Sequence, residues 1–249
     1  MTEFANRIRP NWPSTLTDIL AKARAANGKG VLAFDLDSTL FDNRARQARI
    51  VREFGEQQKV PELQKCDVNH WNSGWDMRAA MRNTGLAESR VEELYASAKS
   101  WWQERFFTSE YCVDDTAIAG AAAFIGACVK ANAIVAYVTG RHEGMRQGTV
   151  SCLRRWEMAV PDGRSVQLLM KPTLAEDDDA YKRVAHEQLR GIGTVVAAFD
   201  NEPTHANDYR RKFPEALVIH LATDHSGRKV ELLEGIISVP HFDPAGSSA

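Results

Sequence analysis

The sequence lacks most of the features that mark specialised classes of protein. It has only four cysteines in 249 residues and no C-x-x-C pair, which argues against a disulfide framework or a zinc-binding cysteine motif. We expect these cysteines to be reduced and mostly buried. Its 31 basic and 33 acidic residues give a formal net charge of −2, which provides no overall field to attract nucleic acid or an anionic membrane.

Long apolar runs are also missing. The most apolar window, residues 117–138, is interrupted by Lys130 and Asn132, as is typical of a buried helix followed by a strand and not of a membrane span. The first sixteen residues lack the apolar core of a secretory signal. We therefore expect a cytoplasmic protein with no membrane partner.

What the sequence does contain is a short apolar run that ends in two acids, VLAFDLDSTLFD at residues 31–42. The apolar part predicts a buried strand, whose alternation would turn Asp35 and Asp37 toward one site. Two carboxylates this close repel each other, so either one takes up a proton or a cation lies between them. Mg²⁺ is the natural cation, and Ser38 and Thr39 offer hydroxyl and N–H groups suited to a phosphate.

This segment resembles the first motif, D-x-D-x-T, of the haloacid dehalogenase-like superfamily of phosphohydrolases. The resemblance implies an α/β core with a Mg²⁺-dependent phosphate site. It also implies three further motifs near the ends of later core strands, and each of them has a candidate in this sequence.

After residue 113, apolar runs alternate with helical patterns. This alternation predicts a Rossmann-like parallel sheet with helices on both faces, in which ligands bind beyond the carboxyl ends of the strands. The strands predicted after the first are Ile134–Val138, Val166–Met170, Thr194–Phe199 and Ala216–Leu221. The predicted helices are Asp114–Val129, Glu143–Trp156, Asp177–Leu189 and Pro203–Lys212.

Residues 43–112 form an insertion with no convincing strand. The helical patterns within it are Arg44–Gln57, Trp75–Asn83 and Glu88–Phe106. An insertion at this place resembles the helical C1-type cap of the superfamily, which closes over the phosphate and selects the group attached to it. We therefore expect an α-helical cap at residues 43–112 and a core made of residues 1–42 and 113–249. Both chain ends, residues 1–27 and 239–249, look peripheral.

The segment VTGR supplies the second motif. Thr139 lies near the end of a predicted strand, where the resemblance implies a Ser or Thr that donates its hydroxyl to a phosphoryl oxygen. Gly140 permits a tight turn there. Arg141 either helps to bind the substrate or lies on the solvated start of the next helix.

Asp200 follows a predicted strand and is the candidate for the fourth motif, where an acid supplies an oxygen ligand to Mg²⁺. The family usually has two acids here, but this sequence continues with Asn201 and Glu202. The more distant positions of a second acid hold Thr204 and His205. Asn201 could coordinate through its amide oxygen or hold a metal-bound water, and Glu202 could replace the missing charge. We expect metal binding to be weakened.

Two lysines compete for the third motif, whose cation neutralises the nucleophile and the transferring phosphoryl group. Lys171 directly follows a strand in LLMKP, whereas Lys182 lies in the first turns of a helix in DDDAYKR. We favour Lys182 because it is closer to Asp200 in the sequence and lies near the helix end that attracts anions.

The insertion is rich in aromatic residues. Trp71 and Trp75 stand four residues apart, so they would share one helix face if a helix forms there. A second aromatic group consists of Trp101, Trp102, Phe106 and Phe107. We favour packing within the cap over a stacking wall for a base. None of the seven histidines is assigned a role.

These motifs lead to a functional hypothesis based on the resemblance. Asp35 would attack phosphorus to form an aspartyl-phosphate, and Asp37 would protonate the leaving oxygen and then deprotonate water. Mg²⁺ would be held by the Asp35 carboxylate, the Asp37 backbone carbonyl and Asp200.

Several alternatives remain open. The substrate is expected to be a small phosphate monoester, with a nucleotide or a nucleic-acid 3′ end as the alternative, because the lysine context is similar to polynucleotide 3′-phosphatases. A phosphotransferase or mutase would use the same residues, whereas Asp37 argues against a metal-free dehalogenase. Asn201 in place of an acid favours a catalytically weak binding or regulatory protein.

Overall fold

The fold is built around one parallel sheet, as the alternating pattern predicted. A computed structural model of the chain describes residues 4–245. Its strands are β1 (Gly30–Phe34), β2 (Phe41–Asp42), β3 (Thr116–Ala117), β4 (Ile134–His142), β5 (Val166–Lys171), β6 (Thr194–Asp200), β7 (Leu217–Leu221) and β8 (Ile237–Val239). Six of them form the large sheet in the order β5-β4-β1-β6-β7-β8, and all neighbours run parallel.

Helices cover both faces of this sheet. The α-helices of the described residues are α1 (Trp12–Ala25), α2 (Arg44–Gln58), α3 (Met77–Asn83), α4 (Glu88–Phe106), α5 (Ala121–Lys130), α6 (Arg146–Arg155), α7 (Asp178–Ile192) and α8 (Pro203–Lys212). Short 3₁₀ helices span Ala5–Arg7, Leu63–Lys65, Val68–His70, Tyr111–Asp114 and Glu143–Met145.

The central strand β1 shows how the sheet is covered. Val31 and Ala33 pack in one cluster with residues of α7 and α8, including Leu189. Phe34 belongs to the other face, where it contacts Phe124 of α5. Side chains alternate along a strand, so those of β1 point to both faces of the sheet. Because both faces are covered, all five residues of β1 are buried.

The chain divides into two compact units. One consists of Met1–Phe41, Ala117–Glu143 and Leu153–Ala249, and the other of Asp42–Thr116 and Gly144–Cys152. The first unit contains the parallel sheet. The second is helical and includes the short segment Gly144–Cys152 in addition to the region that the sequence marks as an insertion.

The start of α5 differs from the prediction of a helix from Asp114. The helix begins only at Ala121, because Asp115 is fully buried in an ion pair with Arg46 and the chain is extended immediately after it. Gly120 then has a left-handed backbone (φ 75°), and a Cβ atom there would lie 2.4 Å from the backbone of Asp243.

The chain ends are not peripheral, contrary to expectation. Helix α1 buries Trp12 and Ile19, and the unpredicted strand β8 extends the sheet beside β7. Phe242, only 2% exposed, stacks on Phe124. Residues 1–3 and 246–249, parts of the two segments expected to be peripheral, lie outside the described residues.

The helical unit has a hydrophobic core of its own. Trp71 is buried in this core, whereas Trp75 is 65% exposed. The two tryptophans do not share a helix face, because α3 begins only at Met77, where Asp76 accepts a hydrogen bond from a backbone N–H of the first turn. In the second aromatic group, Trp102 stacks on Phe106 and meets the ring of Phe107 edge to face within the unit, as the packing interpretation requires.

All four cysteines are free and buried, as predicted. Within residues 4–245, no helix combines the length and the apolar character needed to cross a membrane.

Candidate active site

The two acids of the first motif lie in the loop after β1 and not in the strand itself. The strand ends at Phe34, so the directions of the two side chains are set by this loop and not by strand alternation. Asp35 contacts Lys182, whereas Asp37 contacts Arg141. Each carboxylate therefore has its own cation, instead of one cation between them.

Lys182 is the centre of a buried cluster of charges. Its Nζ atom lies 2.6 Å from Oδ1 of Asp35 and 2.6 Å from Oδ2 of Asp200. Lys182 belongs to the first turns of α7, and Asp200 ends β6, next to β1 in the sheet. The three residues are 6% exposed or less, so their interactions are only weakly screened by solvent.

Burial shapes the ionisation of this cluster. It raises the pKa of Asp35 to about 7, and Lys182 offsets part of that rise while Asp200 and Asp37 add to it. Burial alone would raise the pKa of Asp200, but the charge of Lys182 outweighs it and holds the pKa of Asp200 below the usual range. The pKa of Lys182 is raised, because the two carboxylates outweigh the cost of burying its charge.

Lys171 lies outside this cluster. Its Nζ atom is 2.6 Å from Oδ1 of Asp178 and donates to the backbone carbonyls of Leu174 and Glu176. It thus ties the loop after β5 to the start of α7.

The second motif lies on β4, which extends to His142 and so beyond the predicted end. Arg141 is buried, and its guanidinium binds both carboxylate oxygens of Asp37, with Nε 3.0 Å from Oδ2 and Nη2 2.6 Å from Oδ1. The expectation of a solvated helix start for Arg141 is therefore wrong. Thr139 is also buried, and its hydroxyl accepts a hydrogen bond from the N–H of Arg141. A Cβ at Gly140 would lie 2.9 Å from the carboxylate of Asp178.

Comparison with known proteins supports the fold. No protein-family model and no curated protein sequence matches the chain. Among solved structures, the chain is similar to a protein from Clostridium difficile assigned as a phosphatase, with a TM-score of 0.54 and 10% identity over 84% of this chain and 93% of the other. This likeness shows that the two chains share an α/β fold.

Two further structures share this fold. A predicted phosphatase from Clostridium acetobutylicum has a TM-score of 0.50 and 13% identity over 85% of this chain and 94% of the other. Protein Tyrosine Kinase A from Mycobacterium tuberculosis has a TM-score of 0.50 and 15% identity over 84% of this chain and 92% of the other. Proteins that share this fold thus carry different activity names, so the fold alone does not define the activity.

Asn201 and Glu202 directly follow Asp200, and both bind the segment that follows β7. The Asn201 amide donates to the carbonyl of Asp224 at 2.6 Å, and the Glu202 carboxylate accepts from the N–H of Ser226 at 3.0 Å. Nε of Arg228 lies 3.4 Å from the other carboxylate oxygen of Glu202. These two positions therefore hold the residue 224–228 segment beside the site.

Ser38 and Thr39 also contribute to this framework. The Thr39 hydroxyl donates to Oδ1 of Asn201 at 3.1 Å and accepts from its N–H at 3.0 Å. The carbonyl of Ser38 accepts a hydrogen bond from the hydroxyl of Thr223. Ser38 itself has a left-handed backbone (φ 59°), which turns the chain directly after Asp37.

His205 is the site residue that the sequence analysis missed. Its Nε2 atom lies 2.8 Å from Oδ1 of Asp179, and its Nδ1 atom lies 3.6 Å from Oδ1 of Asp200. Burial and Lys182 lower its pKa, but these carboxylates outweigh them and raise it above the ordinary value. Its position in the first turn of the helix after Asp200 was the available signal; the partner Asp179, on a different helix, was not visible.

The oxygen atoms at this site fit Mg²⁺. Asp35 and Asp200 bring two buried carboxylates to one place beside Lys182, and the backbone carbonyl of Asp37 follows in the same loop as Asp35. Two carboxylates and a carbonyl are a sufficient protein contribution for an ion that keeps several waters and binds phosphate oxygens. Within residues 4–245, no group of three or more acidic, histidine or cysteine side chains is suited to a metal.

Proposed function

We propose that the chain is a Mg²⁺-dependent phosphatase that hydrolyses a small phosphate monoester through an aspartyl-phosphate on Asp35. The observation that carries the proposal is the separation of the two acids of the D-x-D segment, since Asp35 is paired with Lys182 and Asp37 with Arg141. Two carboxylates in different electrostatic settings suit one nucleophile and one acid–base group.

Asp35 is the nucleophile of this mechanism. Its Oδ2 atom accepts no hydrogen bond from the described residues, while Oδ1 is held by Lys182. A bond forms between Oδ2 and phosphorus as the bond from phosphorus to the ester oxygen breaks. Lys182 neutralises the charge that two acids and a phosphoryl group bring to one buried place.

Asp37 acts as general acid for the leaving group and then as general base for the water. Arg141 holds it as a carboxylate before substrate binds, and the phosphoryl oxygens compete for the same guanidinium. Once the phosphoryl oxygens occupy Arg141, Asp37 takes up a proton from solvent and transfers it to the leaving oxygen. The carboxylate that results then accepts a proton from the water that attacks the phosphorus of the aspartyl-phosphate. Thr139 lies on the same strand as Arg141 and is the candidate donor to a phosphoryl oxygen.

Mg²⁺ would be held by Asp35, the Asp37 carbonyl and Asp200, and when bound it supplies positive charge to the nucleophile and the phosphate. Asn201 is less suited to ligation than the sequence suggested, because its side chain binds Thr39 and Asp224. The helical unit is expected to select among phosphate esters. The proposal also includes a cytoplasmic location for the protein.

A second candidate function is a catalytically weak binding protein. The use of Asn201 and Glu202 to hold the segment after β7, in place of a second metal-binding acid, favours it. The test is phosphate release from a panel of sugar phosphates, nucleotides and 3′-phosphorylated oligonucleotides, with Mg²⁺ and with chelator, using Asp35→Asn as the control. Release that requires Mg²⁺ and Asp35 supports the phosphatase, and the preferred ester defines the substrate class. No release from any ester supports the binding protein.

A further inference from the structure

Asp200 is connected to the segment after β7 through a chain of three side chains. His205 lies between two carboxylates, with Nε2 2.8 Å from Oδ1 of Asp179 and Nδ1 3.6 Å from Oδ1 of Asp200. Arg228 then reaches Asp179 from the other side, with Nη1 2.7 Å from Oδ2 and Nη2 3.2 Å from Oδ1. The chain of contacts thus joins β6, α7, α8 and a loop.

We propose that His205, Asp179 and Arg228 are positioning residues that hold the Asp200 carboxylate in the orientation that binds Mg²⁺. The proposal rests on the proposed function, because it needs Asp200 to be a metal ligand. Two other groups also hold this carboxylate: the N–H of Glu202 donates to Oδ1 at 2.9 Å, and Nζ of Lys182 lies 2.6 Å from Oδ2. His205 adds a further contact on Oδ1.

The physical reason is the conformational freedom that a metal-binding carboxylate loses when the ion binds. A carboxylate that is fixed before the ion arrives loses less conformational freedom on binding, and residues that fix metal ligands commonly contribute 10- to 100-fold in metal affinity. His205 is suited to this role because it is 8% exposed and its ring is held by Asp179. Asp179 is in turn held by Arg228 through both carboxylate oxygens.

Coulomb interactions alone predict different Mg²⁺ affinities for two variants of these residues than positioning does, so a binding measurement separates the two explanations. Arg228→Met removes a positive charge, which by Coulomb's law alone would tighten Mg²⁺ binding. Asp179→Asn removes a negative charge and would weaken it. Positioning predicts that both variants bind Mg²⁺ more weakly, because each breaks the same chain of contacts.

The experiment is a calorimetric titration of the purified protein with Mg²⁺ alone, which does not depend on turnover. The variants are Arg228→Met, Asp179→Asn and the two combined, whose net charge is unchanged. The matched control is Lys229→Met, since Lys229 is the exposed neighbour of Arg228 and forms no ion pair with any residue in the described part of the chain. Thermal unfolding of each variant shows which are folded, and the near-isosteric Asp179→Asn is the least disruptive.

We expect each single variant to weaken Mg²⁺ binding by about 10- to 100-fold, and the double variant to weaken it no more than either single one. Lys229→Met should not weaken it. Opposite effects of the two single variants, or a double variant that binds like the unmutated protein, would overturn the positioning role. If the unmutated protein binds Mg²⁺ and every variant matches it, only this proposal fails. If the unmutated protein binds no Mg²⁺, the metal part of the proposed function fails and this proposal falls with it.

Discussion

Removal of the Lys182 ammonium is the perturbation with the largest expected effect on this site. The ammonium lies 2.6 Å from each of two buried carboxylate oxygens, one on Asp35 and one on Asp200. In Lys182→Met these acids would face each other and the incoming phosphate without a cation. We expect a loss of about 3–4 kcal/mol of transition-state stabilisation, or about 10²- to 10³-fold in kcat, the scale of removing one strong preorganised donor.

Lys171→Met is the matched control. Lys171 is buried as well, but its carboxylate partner Asp178 is 55% exposed, so water can solvate that carboxylate once the ammonium is gone. Because two backbone carbonyls also lose their donor, the loss of Lys171 should cost about 1–3 kcal/mol of stability while leaving kcat within about 10-fold. The assay is phosphate release at saturating substrate, for variants shown to be folded by circular dichroism. The reasoning is refuted if Lys171→Met loses as much turnover as Lys182→Met.

Three further predictions concern single residues. Asp37→Asn should slow release strongly from esters with poor leaving groups and much less from aryl phosphates, whose leaving oxygen needs little protonation; equal losses for both would contradict the acid role. Asn201→Asp should lower the unfolding temperature and not tighten Mg²⁺ binding, because a carboxylate would face the Asp224 carbonyl that the amide now reaches at 2.6 Å; tighter binding in calorimetry would show that this position faces the ion. Burial lowers the pKa of His220 to about 4. As the pH falls, His220 therefore takes up a proton first in the unfolded chain, and stability that is present above pH 6.5 is lost between pH 6.5 and 4. Chemical unfolding of His220→Gln should therefore show a loss from pH 7 to pH 5 that is about 2 kcal/mol smaller than in the unmutated protein, and an equal loss would argue against a neutral buried imidazole.

The sequence was most informative where a local pattern determines the structure. An apolar strand followed at once by acids predicted β1 with Asp35 and β6 with Asp200, because parallel strands bring their carboxyl ends to one edge of the sheet. Helix α8 was predicted with its observed bounds, since Pro203 marks its first position.

Features that depend on distant partners could not be read in this way. The start of α5 was misplaced because Asp115 is committed to Arg46, a residue of another element. Strand β8 has only three residues, too few for a recognisable alternation. His205 was left unassigned because Asp179, which holds its ring, comes from a different helix.

The separate pairing of the two acids of the first motif was also beyond the sequence. Spacing predicted that Asp35 and Asp37 face one site, and the charge of Asp37 does raise the pKa of Asp35, but spacing could not show that each acid has a different cation. The turn at Ser38 and the buried Arg141 give Asp37 a separate partner. A pattern of alternating side chains holds only as far as the backbone stays extended.

Covalent labelling of Asp35 tests the central proposal most directly. The purified protein is mixed with Mg²⁺ and a phosphate ester that it hydrolyses, and the reaction is quenched rapidly in acid. Reduction with borohydride then converts an aspartyl-phosphate to homoserine. Peptide mass spectrometry should find homoserine at position 35 and not at Asp37 or Asp200, and the signal should vanish with chelator or in Asp35→Asn. Steady turnover with no modification of Asp35, or modification of another acid in its place, would contradict the proposed mechanism.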